Sequence, residues 1–221
     1  FHKLADNPVL GHIEAENRDP KVVWHAGTKA WIMALYLNED RFALFRSANL
    51  KAWEKSDDVR MPGSSECPDF FELPVDGKPG ERWWLFWSAN GRYRLGTFDG
   101  RRFRATTEPV DSNFGPNCYA AQTYSDAPSG RRIQIAWMQG GNYPGQAFNQ
   151  QMTVPRELRL VSTPKGPRLS ILPIKELLKL RVKKLLGKRL VKAPLALETG
   201  TDLIEVRATV RRDRDLSLRF H

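Results

Sequence analysis

The chain has 221 residues, of which 41% are apolar and 27% charged, ordinary values for one globular domain or one and a part. No apolar run approaches the roughly 18 residues that a membrane span needs, so no membrane partner is expected. The net charge of +10 is concentrated late: residues 165–221 hold 15 Lys and Arg against 6 Asp and Glu, whereas residues 1–164 hold 20 against 19.

Short segments rich in β-branched and aromatic residues predict an all-β fold. In chain order they are KVVWHAG, AWIMALYL, RFALFRS, RWWLFWSA, YRLGTFDG, RIQIAWMQ and RLSILP. Asn90-Gly91 predicts a tight hairpin turn. The best helical candidate is IKELLKLRVKKLL, but the flanking Pro173 and Gly187 limit it and leave it ambiguous.

A weak internal repeat follows the strands. Asp19, Glu66 and Tyr119 each come at the start of a strand-rich unit, about 47 and about 53 residues apart. Units of this length with four short strands are typical of propeller blades. Three units cover roughly residues 14–162, fewer than the four blades of the smallest closed propeller, so the sequence predicts a partial β-propeller.

The composition changes after Pro173. The basic segment KLRVKKLLGKRLVK (179–192) is either a polyanion-binding patch or a solvated connector, and the connector is favoured because no aromatic residue is interleaved to stack on bases. No nucleic-acid partner is therefore expected. LIEVRATVRR and DLSLRF alternate as half-buried strands do. The predicted domains are an incomplete propeller at 1–165, a basic connector at 166–192 and the first strands of a β-sandwich at 193–221.

Cysteine and histidine usage indicates no metal or cofactor site. Cys67 and Cys118 either form a disulfide or remain two free, half-buried thiols, and the second alternative is favoured. The four His are scattered without ligand spacing. The sequence has no nucleotide-binding loop either, so no cofactor is expected.

Two carboxylates stand at equivalent places in neighbouring units. In a propeller the first strand of each blade lines the central channel, so Asp19 and Glu66 should converge there. Glycoside hydrolysis needs such a pair, one to protonate the leaving oxygen and one to attack or stabilise the sugar cation. Burial and nearby carboxylates are expected to raise the pKa of the acid. On the residues alone, a solvated or turn-forming acidic residue is the favoured interpretation.

Several motifs in order carry a family resemblance. RDPKVVW, SANLKAWEKS, ECPDFFEL, YRLGTFDGRRF and YAAQTYSD followed by PREL, over about residues 7–181, resemble glycoside hydrolase family 32, the invertases, levanases and inulinases. The resemblance implies a five-bladed β-propeller followed by a β-sandwich. It also implies retaining hydrolysis of β-fructosyl linkages in sucrose or fructans such as levan and inulin. An extracellular or periplasmic location would suit a fructanase.

The resemblance also implies roles for individual residues. Glu66 matches the acid/base of the ECP motif, and Asp19 matches the transition-state stabiliser of the RDP motif. Arg18 would contact sugar hydroxyls and orient the carboxylates, and Cys67 would pack beside the acid and tune it.

Three further positions are expected near the rim of the channel. Asn117 and Tyr119 lie where many members have Asp-Phe-Tyr-Ala, and Phe148 lies where many have Trp. Asn117 would hydrogen-bond sugar hydroxyls, and Phe148 would offer a stacking face.

The family's nucleophile, an Asp in an Asn-Asp-Pro-Asn-Gly type motif far upstream of RDP, has no counterpart in this sequence. The sequence is therefore expected to be part of a longer enzyme and not to be catalytically competent alone. The alternative is a non-catalytic carbohydrate-binding or assembly module on a degenerate propeller, whose open blade edges favour self-association.

Overall fold

The computed structural model describes residues 2–187, 196–201 and 203–209, and within them the strands form three antiparallel sheets. The first sheet contains β1 (Arg18–His25), β2 (Ala30–Asn38), β3 (Arg41–Ser47) and β4 (Glu54–Arg60). The second contains β5 (Asp69–Pro74), β6 (Arg82–Trp87), β7 (Arg92–Phe98), β8 (Phe103–Ala105) and β9 (Val110–Asp111). The third contains β10 (Tyr119–Thr123), β11 (Arg132–Met138), β12 (Gln151–Met152), β13 (Arg156–Val161) and β14 (Arg168–Pro173).

Each sheet is a meander of sequential strands. The first runs β1-β2-β3-β4 and the second β5-β6-β7-β8, with β9 paired to β7. The third runs β10-β11-β13-β14, with β12 paired to β11. Four-stranded antiparallel meanders repeated in this way are the blades of a β-propeller, which confirms the predicted all-β, partly built propeller.

Apolar cores lie between neighbouring sheets. Ile32, Phe42 and Phe86 belong to the core between the first and second sheets. Leu85 and Leu158 belong to the core between the second and third. Removing such side chains from water is the main force that holds the sheets face to face, at about 1.5–3 kcal/mol for each fully buried large side chain.

The alternation of side chains along β5 connects the two cores. Phe70 points into the first core and its neighbour Phe71 into the second, because successive side chains leave opposite faces of a strand. This strand is thereby fixed from both sides. Both cores therefore hold the start of this strand, immediately after Glu66-Cys67-Pro68.

The FDG motif has a packing explanation. The Asp99 carboxylate accepts hydrogen bonds from the backbone N–H groups of Arg101 (2.8 Å) and Arg102 (2.7 Å), which closes the turn. Gly100 has φ +89°, and a Cβ there would lie 2.4 Å from Cγ2 of Thr28. The turn can therefore approach the first sheet closely only with glycine at this position.

Two strands lack the apolar pattern by which the other strands were predicted. β4 reads EKSDDVR, and β13 begins with the charged residues Arg156 and Glu157. Each nevertheless pairs with a hydrophobic strand, β4 with β3 and β13 with β11. The helical candidate forms only a short 3-10 helix, Lys175–Leu180. No helix among the described residues is long and apolar enough to cross a membrane.

The chain divides into two units, Phe1–Lys175 and Glu176–His221. The first unit extends past residue 165 because β14 pairs with β13. In the second unit, Arg181 Nη2 and Glu205 Oε1 form an ion pair of 2.6 Å. Residues 203–209 form no strand, and the remainder of the predicted strand pair, 210–221, lies outside the described residues. The predicted domain boundaries stay predictions.

Candidate functional site

The first strands of the three sheets, β1, β5 and β10, lie side by side. Each begins at left-handed backbone: Asp19 has φ 59°, Glu66 58°, Cys67 43° and Ala120 51°. The strand register also shifts beside Asp19 and Ala120. Left-handed residues other than glycine cost about 1–3 kcal/mol each and concentrate at functional sites. The same irregularity at three equivalent places therefore indicates a built site.

Glu66 is held by two donors from the neighbouring strands. Arg18 Nη2 donates to Oε1 at 2.5 Å, and the Tyr119 hydroxyl donates to Oε2. These hydrogen bonds, that of Tyr119 first, lower the pKa of Glu66, and they outweigh the opposing effect of burial. The expectation that its pKa would be raised was wrong, because it considered burial and carboxylates but not donors.

Asp19 lies against the backbone of the loop that carries Glu66, here called the acid loop. The Cys67 backbone N–H donates to Oδ2 at 3.1 Å, and the Cys67 thiol lies 3.5 Å from the same oxygen. Burial and the Asp19 charge raise the pKa of Cys67 to about 12, so it remains a protonated donor. Its thiol thus lies against Asp19, and the charge of Glu66 adds to the same rise of the Cys67 pKa. Cys67 and Cys118 are both free, as the favoured alternative held.

Arg18 connects the two carboxylates. Its Nε lies 3.9 Å from Asp19 Oδ2, and its Nη1 forms an ion pair of 3.0 Å with Glu16. The guanidinium carbon stands 4.9 Å from the centre of the Tyr36 ring, in cation–π geometry. Glu66 and Glu16 raise the pKa of Arg18, so it carries its charge at every accessible pH. It is placed to orient both Asp19 and Glu66.

An open groove of about 380 Å³ adjoins this cluster. It is lined by Tyr36, Glu39, Asp40, Gly63, Ser64, Ser65 and Asn90. Its lining includes Ser65, which precedes Glu66, and Tyr36, which stacks with Arg18, but neither Glu66 nor Asp19. Its hydroxyl, amide and carboxylate groups suit a polar ligand.

A buried charged network lies beneath the acids, and it was not identified in the sequence analysis. Asp69 is completely buried, and its Oδ1 lies 3.5 Å from Lys21 Nζ. The backbone N–H of Thr123 donates to Asp69 Oδ2 at 2.7 Å, and Lys21 Nζ donates to the Thr123 carbonyl at 2.7 Å. Lys21, Asp69 and Thr123 thus join the three channel strands. Lys21 could have indicated this network in the sequence, because a lysine within an apolar strand needs a partner for its buried charge.

Gln122 supports the acid loop from the third sheet. Its Nε2 donates to the carbonyls of Cys67 (3.3 Å) and Pro68 (3.1 Å). The loop that presents Glu66 is therefore fixed at its backbone as well as at its carboxylate.

Two predicted site residues are not joined to the acids. Asn117 Nδ2 donates to the Gln139 carbonyl at 2.5 Å and so connects two loops of the third sheet. Phe148 is 46% exposed, and its ring centre lies 5.6 Å from that of Tyr143. Both lie on loops of the third sheet, whereas Asp19, Glu66, Arg18, Cys67 and Tyr119 form one connected cluster. Among the described residues, no three His, Cys, Asp or Glu side chains group as metal ligands.

The fold and the cluster together define the class of protein. The chain is part of a β-propeller protein whose acidic residues lie together at the starts of its first strands, β1, β5 and β10. Comparison with known proteins makes this more specific. The profile described as "Glycosyl hydrolases family 32 N-terminal domain" matches residues 1–173. The chain therefore belongs to glycoside hydrolase family 32, which confirms the resemblance carried by its motifs.

Individual relatives agree with this assignment. A levanase of Bacillus subtilis is 34% identical over 200 residues, 79% of this chain and 29% of its own length. An extracellular exo-inulinase of Meyerozyma guilliermondii is 29% identical over 79% of this chain and 38% of its own length. The chain thus spans about a third of the length of the curated relatives it matches.

Solved structures show the same relationship in three dimensions. The exo-inulinase from Aspergillus awamori superposes with a TM-score of 0.68 at 25% identity, covering 76% of this chain and 40% of that one. A fructofuranosidase from Schwanniomyces occidentalis complexed with fructose gives a TM-score of 0.67 at 26% identity, covering 77% and 38%. The three sheets therefore match part of the propeller of family 32 fructosidases.

Proposed function

We propose that this chain supplies the acid/base and the transition-state stabiliser of a retaining glycoside hydrolase that cleaves β-fructosyl linkages in sucrose or fructans. Glu66 is the acid/base, and Asp19 binds the fructosyl hydroxyls and stabilises the charged transition state. The convergence of both carboxylates on Arg18 carries the proposal, since these residues are 47 positions apart in sequence and on different sheets.

Arg18, Tyr119 and Cys67 hold this pair in place. Arg18 and Tyr119 donate to the two oxygens of Glu66, and the Cys67 amide and thiol fix Asp19. To act as an acid Glu66 must take up a proton, although its pKa is lowered. A substrate that covers the half-buried side chain and engages Arg18 or Tyr119 would raise that pKa, which couples protonation to substrate binding.

The attacking carboxylate is proposed to come from residues that this sequence does not contain. In a retaining mechanism it would form the fructosyl-enzyme bond while Glu66 protonates the leaving oxygen, and water would then release fructose. Without it, the chain alone should release almost no fructose, because the covalent step lacks its nucleophile.

An external nucleophile provides the test. Purified chain is incubated with sucrose, inulin and levan, with and without azide. Azide should replace the missing carboxylate and slowly give a fructosyl azide of inverted configuration, with Glu66 protonating the departing sugar oxygen. Glu66→Gln and Asp19→Asn should abolish this product.

Three outcomes would contradict the proposal. Rapid fructose release without azide would refute the missing nucleophile. Azide product that survives Glu66→Gln would refute the acid role. Absence of product from a folded chain that binds fructose would refute the assignment of both carboxylates. Self-association through open blade edges stays a separate prediction, tested by sedimentation of the purified chain.

A further inference from the structure

The junction between the second and third sheets contains a group of buried donors without acceptors. Across the described part of the chain, seven buried side-chain nitrogen and oxygen atoms have no hydrogen-bond partner. Four of them lie at this junction, and all four are N–H donors: Trp87 Nε1, Asn113 Nδ2, Gln134 Nε2 and Arg156 Nε. An unpaired buried donor is costly, so four in one place indicate a group that accepts hydrogen bonds.

Arg156 is bonded to the side chains around it through its other two nitrogens. Its Nη2 donates to Gln134 Oε1 at 2.7 Å and lies 3.2 Å from the Cys118 sulfur. Its Nη1 donates to Asn113 Oδ1 at 3.4 Å. Because a guanidinium only donates, it fixes the orientation of both amides, with each oxygen toward Arg156. The NH2 groups of the two amides are thereby left as donors without a partner.

The positive charge of Arg156 is not balanced by its surroundings. No carboxylate of the described residues forms an ion pair with it, and the adjacent Glu157 binds Arg131 and Arg159 instead. Gln134, which pairs with Arg156 across β11 and β13, is completely buried. A cation beside so enclosed a group is costly unless an opposite charge neutralises it.

An anion suits this group better than a water molecule does. A buried water accepts hydrogen bonds but also adds two O–H donors of its own, which need acceptors. The amide oxygens of Gln134 and Asn113 already bind Arg156. An anion only accepts, and it also supplies the missing negative charge. One negative charge matches the single guanidinium, and the complete burial of Gln134 favours a small ion.

We propose that Arg156, Gln134 and Asn113 bind a small monovalent anion, such as chloride, at the junction of the second and third sheets. The ion accepts hydrogen bonds from the N–H groups of all three residues and neutralises the guanidinium. The inference does not rest on the proposed function, because an ion at Arg156 would stabilise the junction whether or not the chain acts on sugars.

Chloride titrations of the purified chain test the site. Chloride replaces gluconate, a bulky monovalent anion, at constant ionic strength. The chloride NMR line, which broadens when the ion exchanges with a protein site, gives the dissociation constant. At a chloride concentration about ten times that constant, the equilibrium constant of urea unfolding should fall about tenfold. Chloride that neither broadens its line nor stabilises the protein would overturn the proposal.

Variants locate the site. Gln134→Glu places a carboxylate beside Arg156 in nearly the same volume, so it should abolish both chloride effects while preserving stability in gluconate. Arg156→Met removes the cation and should also abolish them. The matched control is Arg94→Met, which removes a half-buried guanidinium that donates to the carbonyls of Thr107 (2.8 Å) and Arg60 (3.2 Å). Its acceptors are already present, so both chloride effects should remain.

Further outcomes would contradict the proposal. Chloride stabilisation that persists in Gln134→Glu would place the ion elsewhere. Its loss in Arg94→Met as well as in Arg156→Met would show a general effect of protein charge. In crystals grown with bromide, anomalous scattering should locate the ion within hydrogen-bonding distance of Arg156 Nε and Gln134 Nε2. A water molecule at that place would show that the donors are satisfied without an anion.

Discussion

Glu66 and Asp69 are three residues apart on either side of Pro68, yet their surroundings are opposite. Glu66 is partly exposed on the channel, and the donors Arg18 and Tyr119 lower its pKa. Asp69 is completely buried, and desolvation raises its pKa against the attraction of Lys21. The difference shows that one short acidic motif contains a carboxylate open to a ligand and a carboxylate enclosed within the fold, and that only the environment distinguishes them.

Removing the partner of the buried carboxylate should have the largest effect. Lys21→Met removes the cation paired with Asp69, leaves only the longer-range attraction of Arg132, and should reduce the free energy of unfolding by about 3–5 kcal/mol. Urea unfolding measures this loss. The control is Lys55→Met, whose exposed ion pair with Asp58 should contribute about 0–1 kcal/mol. Equal losses in the two variants would show that the Lys21–Asp69 pair is not a structural centre.

Neutralising the channel carboxylate should affect stability far less. Glu66→Gln preserves an oxygen acceptor for Arg18 or Tyr119 and should change the free energy of unfolding by at most about 1 kcal/mol. The same variant should nevertheless abolish formation of the fructosyl azide. Urea unfolding and the azide reaction, measured on one preparation, test both statements. A loss of stability as large as that of Lys21→Met would remove the distinction between the two carboxylates.

The two carboxylates should also give stability opposite dependences on pH. The folded pKa of Glu66 is lowered, so its contribution is present above its unfolded pKa and is lost as the pH falls toward the folded value. The folded pKa of Asp69 is raised, so its contribution declines as the pH rises above about 4, the pKa of an unfolded aspartate. The measurement is the free energy of unfolding from acid to neutral pH.

Variants show which carboxylate causes each change of the free energy of unfolding with pH. The difference between native protein and Glu66→Gln should widen with rising pH, and that between native protein and Asp69→Asn should narrow. Parallel curves would mean that neither carboxylate has the pKa shift described.

The smallest expected effect concerns the Tyr119 hydroxyl. Tyr119→Phe removes the donor that contributes most to lowering the pKa of Glu66, so that pKa should rise toward its ordinary value. Carboxyl carbon NMR titration measures the change. In the native protein, burial and Glu66 raise the pKa of Tyr119 itself to about 12, and Glu66→Gln should lower it. An unchanged Glu66 pKa in Tyr119→Phe would show that Arg18 acts alone.

The sequence predicted the parts of this structure that depend on local pattern. The apolar segments of β1, β2, β3, β6, β7, β11 and β14 and the turn at Asn90-Gly91 are local features, and the structure contains each of them. The sequence did not predict β4, because an edge strand of charged residues has no apolar alternation. Its place depends on pairing with β3.

Apart from the convergence of Asp19 and Glu66, the side-chain contacts between sheets were not predicted from the sequence. The pKa direction of Glu66 depends on Tyr119, 53 residues later, and on Arg18, 48 residues earlier. The role of Asp69 depends on Lys21 and Thr123 from two other sheets. Asn117, expected to meet sugar hydroxyls, donates its amide to the Gln139 carbonyl. Such pairings arise only when the sheets pack, so no local spacing encodes them.

The bonds from Lys21 to Asp69 and Thr123 prevent the three channel strands from sliding past one another. A slip of one residue, about 3.3 Å, would break both bonds and strand a charge in the interior. The relative positions of β1, β5 and β10, and with them the spacing of Asp19 and Glu66, are therefore set by buried bonds and not by the loops that connect the strands.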